Sequence, residues 1–214
     1  MLIDIHTHNP VPAGVRGIRN LYRHFDQVEE PGFFSIGLHP WHVTETGWKE
    51  AYKNLQQWCH HRHVVAIGEC GLDKVCGTSF SLQQEVFKQQ VQLAKELNKP
   101  LLVHCVKAYQ EVLQLLQEQT LSVPVVFHGF NKSTELGLEL VKKGYYLSFG
   151  KKLLQSTRLR QLLLQIPSSS FFLETDDAAV SIAEVYQITA ATLQIQEKAL
   201  SLQLAENVAR VFGI

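Results

Sequence analysis

The 214-residue sequence has no excess of charge of either sign, no CxxC pair and no long unbroken apolar run. Each absence removes a class of protein. Twenty Lys and Arg balance twenty Asp and Glu. The pI is near 7.1, so the basic footprint of a protein that coats nucleic acid is missing. A binder of strand ends or short pieces needs no such footprint. The four cysteines, Cys59, Cys70, Cys76 and Cys105, are scattered. With no secretory leader pattern, that scatter leads to an expectation of free thiols in a reducing cytoplasm. A membrane span needs about 20 apolar residues, and no stretch supplies them. Repeats, low-complexity tracts and linkers are also lacking, so a single domain over residues 1–214 is expected. Nothing marks a protein partner.

What is present is a set of short apolar runs, in a chain whose 45% hydrophobic content suits a substantial core. Eight runs read as strands: 2–6, 15–21, 33–38, 64–69, 101–104, 124–128, 145–149 and 171–175. Several are near-continuous rather than alternating, the pattern of parallel strands buried on both faces. Residues 15–21 could equally be helical. Helical spacing recurs between the later strands, as in Trp48, Ala51, Tyr52, Leu55 and Trp58. Ser81 with Gln84 and Ser181 with Glu184 read as capping boxes, and Ser133 as a cap. The helix after Ser81 should stop near Asn98, ahead of Pro100. Strand and helix alternate to the end, which predicts an α/β fold, a (β/α)8 TIM-like barrel. Only residues 9–14 separate the first two strands, while a crossover needs about a dozen. The barrel is therefore expected to be trimmed or distorted near its N-terminal strands.

The polar residues at the strand ends carry the chemistry. His6 and His8 are two apart on a strand, so both imidazoles project from one face. His39, Glu69, His104, His128, Glu174 and Asp176 follow at the ends of later runs. In barrel enzymes the active site is built at those ends. Histidines and carboxylates converging there can hold two divalent cations. Nitrogen and oxygen ligands without thiolate suit zinc, manganese or cobalt, with magnesium preferring more oxygen. Cys70 and Cys105, beside Glu69 and His104, should turn away from such a site and pack. His24, His60, His61 and His63 lie in polar or helix-end contexts and are given no role.

The ordered motifs DIHTH, IGLHPW, AIGECGLD, FKQQVQLAKELNKPLLVHC, VVFHGF, YYLSFG, FFLETD and AENVARVFG resemble the TatD family of metal-dependent hydrolases, amidohydrolase-like barrels associated with deoxyribonuclease activity. The resemblance covers nearly the whole chain. It implies a two-metal site in which His6, His8 and Asp176 bind the first ion, Glu69 bridges, and His104 and His128 bind the second. Asp176, with Glu69, would be catalytic, orienting or deprotonating the attacking water. His39, His42 and Lys107 would contact substrate, taken to be DNA ends or short single-stranded DNA. Lys151 and Lys152 could add positive charge. The chain departs from the family pattern in three places. Val106 stands where an HxR arginine is usual, with Lys107 one residue on. Ala178 replaces the proline of ETDxP, and Lys74 replaces the tyrosine after GLD. A lysine offers a phosphate a point charge where arginine would grip two oxygens. An amidohydrolase or esterase acting on a small molecule with the same metals is the alternative, and a non-enzymatic scaffold a third reading.

Overall fold

Strands without alternation need cover on both faces, and the chain provides it with helices. The computed structural model describes residues 1–214. Its strands are β1 (Leu2–Thr7), β2 (Val15–Leu21), β3 (Phe33–Ile36), β4 (Val64–Asp73), β5 (Leu101–Val106), β6 (Val125–Phe127), β7 (Tyr146–Phe149) and β8 (Phe171–Leu173). The helices are α1 (Trp48–Trp58), α2 (Phe80–Leu97), α3 (Tyr109–Glu118), α4 (Thr134–Lys142), α5 (Lys152–Gln155), α6 (Thr157–Leu163), α7 (Ile182–Leu193) and α8 (Glu197–Phe212). The strands follow one another in chain order in one eight-stranded sheet, the topology of a (β/α)8 barrel. The pairings β1–β2, β3–β4, β4–β5, β6–β7 and β7–β8 are parallel.

The chain divides into two compact units, and the divisions fall inside β2 and β6. The first unit, residues 1–19 and 126–214, contains β1, β7, β8 and α4 to α8. A parallel bridge between Thr7 and Asp176 brings the continuation of β8 back to β1. The Tyr186 hydroxyl, on α7, accepts the Ile3 N–H at 3.1 Å and fixes that helix to the first strand. Phe171, Phe172 and Phe149 form the apolar centre, each fully buried.

The second unit, residues 20–125, contains β3 to β5 and α1 to α3. β4 is buried along all ten residues and is covered by Leu82, Val86, Phe87 and Val91 of α2. Two polar residues of α2 are also buried, and each makes the same two-point clamp. Gln90 accepts the Leu38 N–H at 2.7 Å and donates to the Leu38 carbonyl at 3.1 Å. Gln83 does the same for Asp73, at 2.7 and 3.0 Å. The segments leading to His39 and away from Glu69 are thereby fixed to one helix.

Most of the sequence expectations for these elements hold, and the Ser81 cap does not. Residues 15–21 form a strand, and no helix stands between β1 and β2, as their short spacing predicts. Between β2 and β3 lies only a 3-10 turn at Phe25–Glu29. Ser81 is not a cap: α2 starts at Phe80, with Ser79 in the cap position and the Gln83 N–H bonded to the Ser79 carbonyl. The caps at Ser133 and Ser181 form, the latter as a full capping box. α2 ends at Asn98 in the left-handed region.

Candidate functional site

In the first unit β1 places His6, fully buried, and His8, half-exposed, at its C-terminal end. Their Nε2 atoms lie 3.6 and 3.4 Å from Asp176 Oδ1. These separations are long for direct hydrogen bonds. They match the ~3.4 Å edge between ligand atoms set about 2.0–2.1 Å from a tetrahedral ion. The three ligand atoms all lie within 4.8 Å of one another. On this geometry the donor set fits a divalent cation. The His128 ring packs against His6 with centroids 4.3 Å apart.

The Asp176 backbone is tied to β1. Its N–H donates to the His6 carbonyl at 2.9 Å, and its carbonyl accepts the His8 N–H at 3.1 Å. The Thr7 hydroxyl donates to the same carbonyl at 3.3 Å. Its φ of 58° lies in the left-handed region, which aspartate tolerates better than most residues. Next to it, Thr175 donates from its N–H and hydroxyl to the buried Asp4 carboxylate, at 3.1 and 2.6 Å. Burial pushes the Asp4 pKa up to about 6; hydrogen bonds from Thr175 oppose the shift and the Glu174 charge adds to it. The buried Glu174 accepts the Gly129 N–H at 2.7 Å and lies 3.6 Å from His128 Nδ1. Carboxylates behind ligand imidazoles in this way fix ring orientation. A cavity of about 190 Å³ opens here, bounded by Gly129, Gly150, Lys151, Glu174, Thr175 and Asp176. Lys151 is 3.5 Å from Asp177.

In the second unit the Gly68–Glu69 peptide is cis. Glu69 Oε1 lies 2.7 Å from His104 Nδ1 and 3.1 Å from His39 Nε2. These three residues also bring ligand atoms within 4.8 Å of one another. His39 Nδ1 accepts the Trp41 backbone N–H at 3.2 Å. That contact puts the proton of the neutral ring on Nε2, facing Glu69. The far side of His104, Nε2, is 3.2 Å from Asp73 Oδ2, which also accepts the Trp41 indole N–H at 2.6 Å. Burial works to raise the Asp73 pKa, but donors at Trp41, Val75 and His104 outweigh it and hold the carboxyl below its ordinary value.

Of the expected site residues, His6, His8 and Asp176 thus meet in one unit with His128 beside them. His39, Glu69 and His104 meet in the other. His42 stacks on Tyr22, centroids 4.5 Å apart, and is 5.8 Å from His39. Together they wall a cavity of about 160 Å³ with Trp48 and Thr44. Lys107 is exposed, with φ 55°, and joins neither cluster. Asp4 and Asp73 were missed. Each is an even number of residues from a candidate ligand on its own strand, His6 and Glu69, and so shares that ligand's face. Cys70 and Cys105 are buried, while His61 and His63 pack on one another away from both clusters.

A barrel with His and carboxylate clusters at strand ends is a scaffold suited to holding divalent cations. The chain matches the TatD related DNase family over residues 11–213 and belongs to that family. It is 33% identical over 160 residues to the metal-dependent hydrolase YabD of Bacillus subtilis, covering 72% of this chain and 62% of that protein. It is 36% identical over 147 residues to the 3'-5' ssDNA/RNA exonuclease TatD of Cronobacter sakazakii, covering 66% of this chain and 56% of that protein. The match therefore spans little more than half the length of these relatives. The crystal structure of YjjV, a TatD homologue from Escherichia coli K12, superposes with a TM-score of 0.84 at 22% identity, covering 100% of this chain and 98% of that one. That likeness establishes the barrel fold.

Proposed function

We propose that the chain is a divalent-metal-dependent hydrolase acting as one domain on phosphodiester bonds, with DNA ends or short single-stranded DNA as substrate. The observation that carries this reading is the His6–His8–Asp176 cluster, with its 3.4 and 3.6 Å separations. A relative named as an exonuclease of single-stranded DNA and RNA supports the substrate class and favours it over a small-molecule amide or ester. His6, His8 and Asp176 would hold one ion. His128 would stand beside it, and Glu69 and His104 would supply ligands for a second, with zinc, manganese, cobalt or magnesium as the candidate metals. When bound, a divalent ion lowers the pKa of water towards about 7 and offsets charge on a phosphate oxygen.

The chain's own residues do the rest. The Asp176 carboxylate, partly open to solvent, accepts the proton of the attacking water at Oδ2, the oxygen not shared with the two imidazoles. Its backbone tethers to β1 hold that oxygen in place. Glu174 and Asp73 keep His128 and His104 oriented. His39 donates towards Glu69 and fixes its carboxylate. His42 and Lys107 face substrate, with Lys151 lending charge. Four free cysteines suit a reducing cytoplasm, and no helix is long and apolar enough to cross a membrane.

Elemental analysis of the purified protein, paired with cleavage of a single-stranded oligonucleotide before and after chelation, tests the reading. Chelation should abolish cleavage and metal should restore it. Asp176→Asn should lower the rate roughly 10²–10⁴-fold. Wild-type rates in that variant, in metal-replete buffer, would refute the assignment.

A further inference from the structure

Trp41 is 59% exposed, the only aromatic among the six large hydrophobic residues on the surface. An indole so placed gives up much of the burial its area could gain. It is nevertheless fixed. Trp41 lies in the 3-10 turn Pro40–His42, whose cap is His39. Its indole N–H donates to Asp73 Oδ2 at 2.6 Å. Asp73 is buried and is itself held by the Val75 N–H at 2.7 Å and by the Gln83 clamp. The indole stands roughly perpendicular to His39 and His104, with ring centroids 5.0 and 5.9 Å away. The ring is therefore pinned at its polar edge, beside a cluster that could hold a metal, with more than half its surface open.

We propose that Trp41 is the platform on which an unpaired base of a nucleic-acid substrate stacks, next to the phosphate being cut. The inference rests on the phosphodiesterase reading and adds a means of recognition to it. Stacking is indifferent to sequence, because every base has a π-face. It also needs no net positive charge. A chain with formal charge zero draws little affinity from counterion release, so a fixed indole is a source of affinity that its charge balance does not limit. A base within a duplex is already stacked on both sides and cannot use the platform. The chain would therefore prefer single strands and frayed ends.

The test compares an ordinary single-stranded oligonucleotide with one of the same length built from abasic sugar–phosphate units. Trp41→Ala should raise KM for the ordinary oligonucleotide by roughly ten-fold, the loss expected for one base–aromatic stack. Its effect on KM for the abasic substrate should be several-fold smaller, and Trp41→Phe should recover most of the difference between the two. A rise in KM of equal size on both substrates would mean that Trp41 only positions Asp73 and His104, and would overturn the proposal. So would an unchanged KM on the ordinary oligonucleotide. A second measurement does not depend on turnover. With Trp48→Phe and Trp58→Phe in place, Trp41 fluorescence should be quenched by the ordinary oligonucleotide and not by the abasic one. Absence of quenching overturns the stacking platform. Quenching without cleavage in metal-replete buffer overturns the hydrolase reading and leaves the platform standing.

Discussion

At the scale of single residues, the groups that matter most beyond the candidate ligands are buried polar side chains that hold backbone. Asp4 grips Thr175, and Gln90 grips Leu38. Removing the Gln90 amide leaves a buried N–H and a buried carbonyl without partners. Gln90→Leu, nearly matched in volume, should lower stability by roughly 2–4 kcal/mol, read as a reduced urea midpoint at constant m-value. Gln92, two residues along and exposed, should tolerate the same change within about 0.5 kcal/mol. The sequence made His6, His8, Glu69 and Asp176 visible, because histidine and acid at the ends of apolar runs are chemically conspicuous. It hid the glutamines, since a glutamine in an amphipathic helix looks like any solvated position.

Among the elements, β4 is the most constrained. Gly71 has φ 144°, and a Cβ there would meet the His104 carbonyl oxygen at 2.0 Å. Any side chain would push β4 off β5 and separate Glu69 from His104. Gly71→Ala should therefore disrupt folding of the second unit or, where protein is recovered, remove metal from it, as read by near-UV circular dichroism and elemental analysis. α7 offers a milder test. Ser181→Ala removes half of its capping box and should cost about 1 kcal/mol in chemical denaturation. The hydrogen bonds from Ser181 hold the Glu184 carboxyl below its ordinary value. The box is therefore intact above the usual carboxylate range and is lost as pH falls through the lowered value. Strand positions were legible to within a few residues because parallel strands are apolar throughout. The start of α2 was not, since Ser79 and Ser81 are equally good caps by type and only the Gln83 N–H bond to Ser79 decides between them.

For the whole molecule, the barrel topology followed from the count and spacing of apolar runs, and the short link at residues 9–14 correctly announced a missing crossover helix. How six distant residues sort into clusters could not be read from spacing, because no local pattern records which strand ends adjoin. The thiols supply a global test. Cys59, Cys70 and Cys105 are buried and Cys76 is partly exposed. A thiol-reactive dye should label one cysteine per native chain and all four after unfolding, with the melting temperature unchanged by reductant.

The two amide clamps of α2 have a further consequence for how this chain can vary. Gln83 and Gln90 are seven positions apart, almost two full turns, so both amides leave the helix on one side. One added or deleted residue between them would swing one amide about 100° out of line. Either Leu38 or Asp73 would then lose its anchor. The helix thus acts as a measuring rod between two loops, and length variation should be tolerated before residue 83 or after residue 90, but not within the interval.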